Sequence, residues 1–397
     1  MGALSRRMGR GGGSVIGGRA ILALDPRALS VLAAGRPVAL VSGTNGKTTT
    51  TRLLAAALET AGPVVTNVQG ANLPPGLAAT LASGAPGAPA ALEVDEAWLP
   101  AVVAQTKPRA VALLNLSRDQ LDRNNEVRDL ADKWRRAFAA APATTVIANA
   151  DDPLVVWGAG QAAEVVWVAA GQPWTDDAGG CPSCGGRISF GDDAAEAGWA
   201  CGDCQLERPP VDIRIVDRGL IVRGEQTIPL QLQLPGRANR ANAAVALALA
   251  EALGVAPVVA APSLGLVSEI AGRYAVVPVG GRRARLLLAK NPAGWLEVFD
   301  FLQPAPAPVV VAINARIADG RDPSWLWDVP FERLRDRQVV ATGERSRDLA
   351  VRLGYAEVEH TREPDLLKAV DAAGAATVDV VANYTSFQQL RAQSGAG

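Results

Sequence analysis

The stretch VALVSGTNGKTTTTRLL, residues 38–54, constrains the fold more than any other part of the chain. Four uncharged apolar residues read as a buried strand, a glycine-bearing turn follows, and the next run reads as a helix. In such a strand–turn–helix, the N–H groups of the turn and the start of the helix can surround phosphate oxygens. The widespread phosphate loop reads G-x-x-x-x-G-K-[ST]. Gly46, Lys47 and Thr48 fit its end, whereas Val41 stands where its first glycine would be. The chemistry is still present. Gly43, Thr44, Asn45 and Gly46 form the turn, Lys47 can reach the β- and γ-phosphates of ATP, and the Thr48 hydroxyl can bind Mg²⁺.

A strand feeding a loop of this kind implies a parallel sheet covered by helices, and the rest of the chain agrees. AVALLNL (110–116) and TTVIANA (144–150) read as further buried strands with helical patterns between them. Residues 211–234 alternate with period two around turn signals, which predicts antiparallel strands. Residues 239–254 then read as a helix closed by Gly254. A second alternating set begins near residue 284, with ARLLLA, PVVVAIN, RQVVATG and VDVVANY as strands and RSRDLAVRLG as a helix. The expected organisation is α/β throughout: an N-terminal arm over 1–36, a central nucleotide-binding domain over 37–272 and a smaller α/β domain over 273–397. The glycine-rich 9–18 segment has no strand before it, so it reads as flexible arm and not as a second phosphate loop.

With 397 residues, 49% of them hydrophobic and 20% charged, the chain can bury the core of two or three domains. A net charge of -1 provides no field to draw nucleic acid. The N-terminus lacks an apolar stretch of signal-peptide length. The run Ala241–Ala261 reads as a buried helix plus a loop, not as a membrane span. The expected location is therefore cytoplasmic. The chain has five lysines, and two of them, Lys47 and Lys290, fall in motifs.

The four cysteines form CPSC and CGDC, with sixteen residues separating Cys184 from Cys201. That spacing is that of a zinc ribbon, in which Cys181, Cys184, Cys201 and Cys204 offer four thiolates to a tetrahedral Zn²⁺. Two disulfides or a redox dithiol are the alternatives, and a cytoplasmic chain without a thioredoxin-like context favours neither. Four protein ligands close the site, so its zinc would be structural. The ribbon would occupy about 177–208 as an insertion, and its acidic flank (Asp192, Asp193, Glu196, Asp203) argues against nucleic-acid binding. With every cysteine there and His360 as the one histidine, in a charged stretch that reads as surface, no Cys–His pair is left to hydrolyse an amide.

The loop SGTNGKTT resembles the form found in the Mur ligases and their folylpolyglutamate synthetase relatives. Further segments are similar to theirs in the same order. ALEVDEAWLP puts Glu93 at a strand end, where those enzymes place a Mg²⁺-binding carboxylate. NLSRDQLDRNNE (115–126) has Gln120 where they carry a histidine, which leaves a second metal site in doubt. NADDP (149–153) follows a strand, and GRANRANAAVALALAEALG carries an asparagine that the resemblance places near the nucleotide, Asn239 or Asn242. The resemblance implies the central ATP-binding domain of a Mur ligase, with the ribbon inserted, followed by a smaller Mur-ligase-like domain.

The last third narrows the resemblance. LLLAKNPAGW has Lys290 where amino-acid-adding Mur ligases have histidine, and Asp319, Arg321, Asp322 and Asp328 crowd the loop in NARIADGRDPSWLWDVPFE. Loop acids are common and a solvated turn is the plain reading of them. Together with the ribbon and ANYTS (382–386), however, these segments are similar to the MurT-type ligases, the ligase subunits of lipid II isoglutaminyl synthases. That resemblance implies ATP-dependent amidation of a D-Glu carboxylate in the lipid II stem peptide, with Asp322 as the essential acid. It also implies no separate domain for a UDP-linked precursor, and a heterodimer with a GatD-type glutaminase that supplies ammonia. Lipid II would bring the protein to the inner membrane face, where Arg6, Arg7 and Arg10 of the arm could meet the surface. An amino-acid-adding ligase, a phosphate-loop switch and a non-catalytic scaffold are the other readings.

Overall fold

Strand β1, Val38–Ser42, is buried along its whole length, as expected of a strand with helices on both faces. The computed structural model describes residues 14–67, 71–118, 127–191, 198–216, 220–234, 236–268 and 274–393. The chain forms two compact units, and the main division between them falls between Ser268 and Glu269.

In the first unit β1 is followed by β2 (Val65–Thr66), β3 (Ala90–Glu93), β4 (Ala110–Leu113), β5 (Thr145–Asn149) and β6 (Glu164–Ala169). After the two ribbon strands β7 (Ile188–Phe190) and β8 (Trp199–Cys201) come β9 (Ile213–Val216), β10 (Leu220–Arg223) and β11 (Gln226–Pro229). The sheet runs β11-β10-β9-β6-β5-β4-β1-β3-β2. It is parallel from β2 to β9 and antiparallel over the β9–β10–β11 meander, the segment whose sequence alternates. Val38, Leu40, Leu92, Leu113 and Val146 join Trp134 and Phe138 in one core. Helices Lys47–Glu59 and Arg237–Ala252 pack against each other and against the strands. β1 lies between β3 and β4, where the strand order reverses, so its carboxyl end opens at the point where ligands bind in open α/β sheets.

Two segments differ from the sequence expectation. Within the supposed arm, Ser14–Leu24 and Ala28–Ala33 are helices, and Leu29 and Ala33 belong to the core with Leu77 and Leu99. Glycine misled here because it was serving contact and not flexibility: a Cβ on Gly18 would lie 1.6 Å from the Pro75 carbonyl oxygen, so only glycine lets the first helix approach Pro74–Ser83. Arg6, Arg7, Arg10 and Gln120 lie outside the described residues, as do Asp192, Asp193 and Glu196. In the run Ala241–Ala261, the part read as a loop belongs to a second helix, Pro257–Leu264, opened by a proline whose fixed φ suits a first helical position. Among the described residues no helix is long and apolar enough to cross a membrane.

The second unit has β12 (Tyr274–Val279), β13 (Arg282–Leu288), β14 (Val309–Ala312), β15 (Val339–Thr342), β16 (His360–Arg362) and β17 (Thr377–Ala382) in the order β12-β13-β17-β14-β15-β16. All neighbours are parallel except the β12–β13 hairpin. Alternate residues of β14 feed two cores: Val309 and Val311 meet Trp295, Phe331 and Leu349, while Val310 and Ala312 meet Val370, Phe387 and Leu390.

Candidate active site

The backbone turns out of β1 through Gly43 (φ 141°) and enters helix Lys47–Glu59 through Gly46 (φ 83°). Both φ values lie where a side chain is strained, and neither glycine has room for one. A Cβ on Gly43 would come within 2.9 Å of the Leu114 Cβ, and one on Gly46 within 2.7 Å of Asn242 Oδ1. The loop between them is held to the segment after β4. Thr44 N donates to the Asn115 carbonyl (2.9 Å), Asn45 N to Asn115 Oδ1 (2.8 Å), and Ser117 N to Thr44 Oγ1 (3.0 Å). No side chain caps the helix, so its first N–H groups and its positive dipole end face the loop, a setting that suits an anion.

Two carboxylates at the end of β3 meet the residues after Gly46. Thr48 Oγ1 donates to Glu93 Oε2 at 2.8 Å, and Asn72 Nδ2 to Glu93 Oε1 at 3.2 Å. Asn67 holds the Glu93 backbone on both sides, accepting from its N–H and donating to its carbonyl at 2.8 Å each. Lys47 Nζ is buried, and it donates to the carbonyls of Gly43 and Thr44 and, at 3.0 Å, to Glu96 Oε1. Asp152, wholly buried at the turn after β5, accepts from the backbone of Leu116 (2.8 Å), Leu154 (2.9 Å) and Val155 (3.2 Å) and from Gln172 Nε2 (3.1 Å). Burial outweighs those bonds and pushes its carboxyl up to about 6.

The ribbon docks beside that turn. Its indole Trp199 Nε1 donates to the Ala150 carbonyl at 2.9 Å, and Arg208 pairs with Asp151 at 2.7 Å. The four Sγ atoms lie within 4.8 Å of one another, with Cys184–Cys201 at 3.5 Å and Cys181–Cys204 at 3.7 Å. A disulfide would require about 2.05 Å, whereas a tetrahedral zinc with bonds of 2.3 Å sets its sulfurs about 3.8 Å apart. Gly186 N donates to Cys184 Sγ and Asp203 N to Cys201 Sγ, each at 3.4 Å. The cluster fits zinc.

In the second unit Asp322 sits half-buried in the loop after β14 and accepts from Ser324 N at 2.9 Å. Asp319, almost wholly buried, accepts from Thr385 N (2.8 Å) and Thr385 Oγ1 (2.6 Å). Asn314 donates to Ser386 Oγ at 2.7 Å. The loop carrying Asp322 is thereby tied to the start of helix Tyr384–Gln393, and this is the structural task of the NYTS segment. Asp319 is not a solvated loop acid.

Residues 41–175 match the Mur ligase middle domain, and residues 288–387 match the MurT ligase C-terminal domain. Over 97% of its length the chain is 29% identical to the lipid II isoglutaminyl synthase (glutamine-hydrolyzing) subunit MurT of Streptococcus pneumoniae, covering 92% of that protein. The subunit of the same name from Staphylococcus aureus is 28% identical over 90% of this chain and 86% of its own. The chain belongs to the MurT family of Mur ligases. Solved structures add the fold alone. A pseudomurein peptide ligase type C from Methanothermus fervidus has a TM-score of 0.69 at 17% identity, covering 91% of this chain and 78% of its own. A bifunctional folylpolyglutamate synthase/dihydrofolate synthase from Yersinia pestis has 0.56 at 16%, covering 93% of both.

Mur ligases are ATP-dependent enzymes that use Mg²⁺, and the hard oxygen donors of Thr48 and Glu93 suit that ion. Of the two asparagines singled out in GRANRANAAVALALAEALG, Asn242 is the one whose side chain abuts Gly46, while Asn239 lies one turn earlier on helix Arg237–Ala252. Sequence reasoning missed Glu96, Asn67, Asn72, Asn115 and Asp152. Glu96 stood in the quoted EVDEAW segment, but a loop acid three residues beyond a strand end gives no signal of its partner.

Proposed function

We propose that this chain is the ligase subunit that amidates the D-Glu α-carboxylate of the lipid II stem peptide, giving D-isoglutamine, ADP and phosphate. The observation that carries this reading is end-to-end similarity to proteins named as that subunit, joined to a strand–loop–helix that places a lysine, a hydroxyl and a carboxylate at one point. Gly43, Thr44, Asn45 and Gly46 cradle the triphosphate, Asn239 and Asn242 lie toward the nucleoside, and Lys47 meets the terminal phosphates. Thr48 and Glu93 hold Mg²⁺, which when bound neutralises phosphate charge. A carboxylate oxygen of D-Glu attacks the γ-phosphorus and ADP leaves. The lone pair of ammonia then attacks the acyl carbon, phosphate departs, and Asp322 takes the proton that the nitrogen sheds.

Ammonia must come from elsewhere, because the four cysteines form one cluster and no Cys–His pair remains. A GatD-type glutaminase in a heterodimer supplies it. Zinc in the cluster is structural, and the complex works in the cytoplasm against the inner membrane face where lipid II resides.

Mass spectrometry of lipid II after incubation with ATP, Mg²⁺ and ammonium chloride tests the reading, with the glutaminase and glutamine added in a parallel arm. Wild type converts acid to amide in at least one arm and Asp322→Asn in neither. ADP release that requires a free amino acid, with lipid II unchanged in both arms, would establish an amino-acid-adding ligase instead.

A further inference from the structure

An ammonium has three N–H donors, and three acceptors surround that of Lys47: the Gly43 and Thr44 carbonyls and Glu96 Oε1. The pair is nearly enclosed, the Lys47 side chain 6% exposed and that of Glu96 12%. A phosphate oxygen can therefore gain Lys47 only if one of the three is given up. The two carbonyls belong to the loop itself. Glu96 comes from a different segment, carries a full charge, and is the acceptor that an incoming anion opposes.

Glu96 is held in place for this contact. Asp95 Oδ1 accepts from Ala97 N at 3.0 Å, and the Asp95 carbonyl accepts from the backbone of Trp98 and Leu99. The fully buried Trp134 donates from Nε1 to the Glu96 carbonyl at 3.0 Å. Two carboxylates three residues apart thus take the first two residues of the helix, Glu93 with Thr48 and Glu96 with Lys47.

We propose that Glu96 is a positioning residue that keeps Lys47 neutralised while the nucleotide is absent and is exchanged for the triphosphate when it binds, an inference that rests on the reading of this loop as the nucleotide site. A buried lysine without a counter-charge destabilises the empty fold, so Glu96 serves the empty state. It also competes with the ligand, so that only a densely charged anion draws Lys47 away. When the terminal phosphate has been transferred, Glu96 can take the lysine back, which favours release of the diphosphate.

The test is calorimetric titration of the full-length, zinc-loaded chain with the non-hydrolysable analogue AMP-PNP and Mg²⁺, alongside melting curves. Glu96→Gln keeps the shape and removes the charge, and it is expected to bind about fivefold to tenfold more tightly than wild type. Its melting temperature falls when empty and returns toward the wild-type value when saturated. Glu96→Ala shifts affinity the same way. In a Lys47→Met background the same change alters affinity less than about twofold, because the competition needs the lysine. Equal or weaker binding by Glu96→Gln overturns the proposal while leaving the nucleotide site standing, and so does a gain that persists without Lys47. A well-folded wild type that binds no AMP-PNP overturns the site and this inference together.

Discussion

The Thr48 hydroxyl donates to Glu93 Oε2 at 2.8 Å, while Asn72 donates to the other oxygen of the same carboxylate. Both donors are neutral and the carboxylate is buried, a setting in which its oxygens can turn to a divalent cation. Thr48→Ala and Glu93→Gln are expected to lower the turnover of ATP by about 10²–10³-fold and to shift the Mg²⁺ requirement upward. Neither change opens a core cavity, so unfolding free energies stay within about 1 kcal/mol of wild type. Mg²⁺ titrations of ADP release, set beside urea unfolding curves, check both parts. A normal Mg²⁺ requirement in both variants would remove these residues from the metal site.

Trp199 reaches from the ribbon to the Ala150 carbonyl, and Cys201 lies two residues further along the same short strand. Metal binding and the seating of the indole are therefore mechanically joined. The purified chain is expected to hold one zinc. Its removal by a chelator, or Cys201→Ser, should lower the melting temperature by on the order of 5 °C and shift tryptophan emission to longer wavelength. Elemental analysis and thermal melts decide this, and a melt indifferent to the chelator would detach the ribbon from the stability of the domain.

Asp152 gives the fold a pH dependence whose sign can be worked out. Burial raises its carboxyl from an ordinary 3.8 to about 6 in the folded chain. The folded state then holds a proton that the unfolded state has released, so the stability this group contributes is full below about pH 3.8 and is lost as the pH rises through about 6. The whole interval is worth about 3 kcal/mol. Asp152→Asn cannot titrate, and it turns an amide N–H toward Leu116 N or Leu154 N, so it is less stable throughout. The gap between wild type and variant is expected to narrow from about pH 4 to about pH 8. Urea unfolding across that range measures it, and a gap that widens would mean the carboxylate is ionised in the fold at low pH.

Much of the molecule could be read from the chain because its signals are local. The strand and loop of 38–48, the cysteine spacing and the β9–β11 alternation each depend on neighbours within a few residues, and the structure has them where those patterns put them. Partnerships across the chain were not legible. Asn115 looks like any strand-end asparagine until its side chain is seen bonded to the backbone of Asn45, seventy residues earlier. Asp319 reads as a solvated turn because Thr385, its partner, lies sixty-six residues on. Gly18 reads as slack because nothing local reveals that Pro75 will press against it. The sequence states what each residue can donate or accept, and only the fold assigns the partner.

Gly46 and Asn242 have a consequence for how such a chain can vary over time. The asparagine oxygen lies 2.7 Å from where any side chain at Gly46 would begin. Each residue thus forbids most replacements at the other: a larger residue at 46 has nowhere to go while Asn242 stands, and a bulkier residue at 242 would push into the loop. Variation at the two positions is therefore coupled: a side chain at 46 needs a smaller residue at 242 as well as a backbone that tolerates a φ of 83°, and a bulkier residue at 242 needs the glycine to stay.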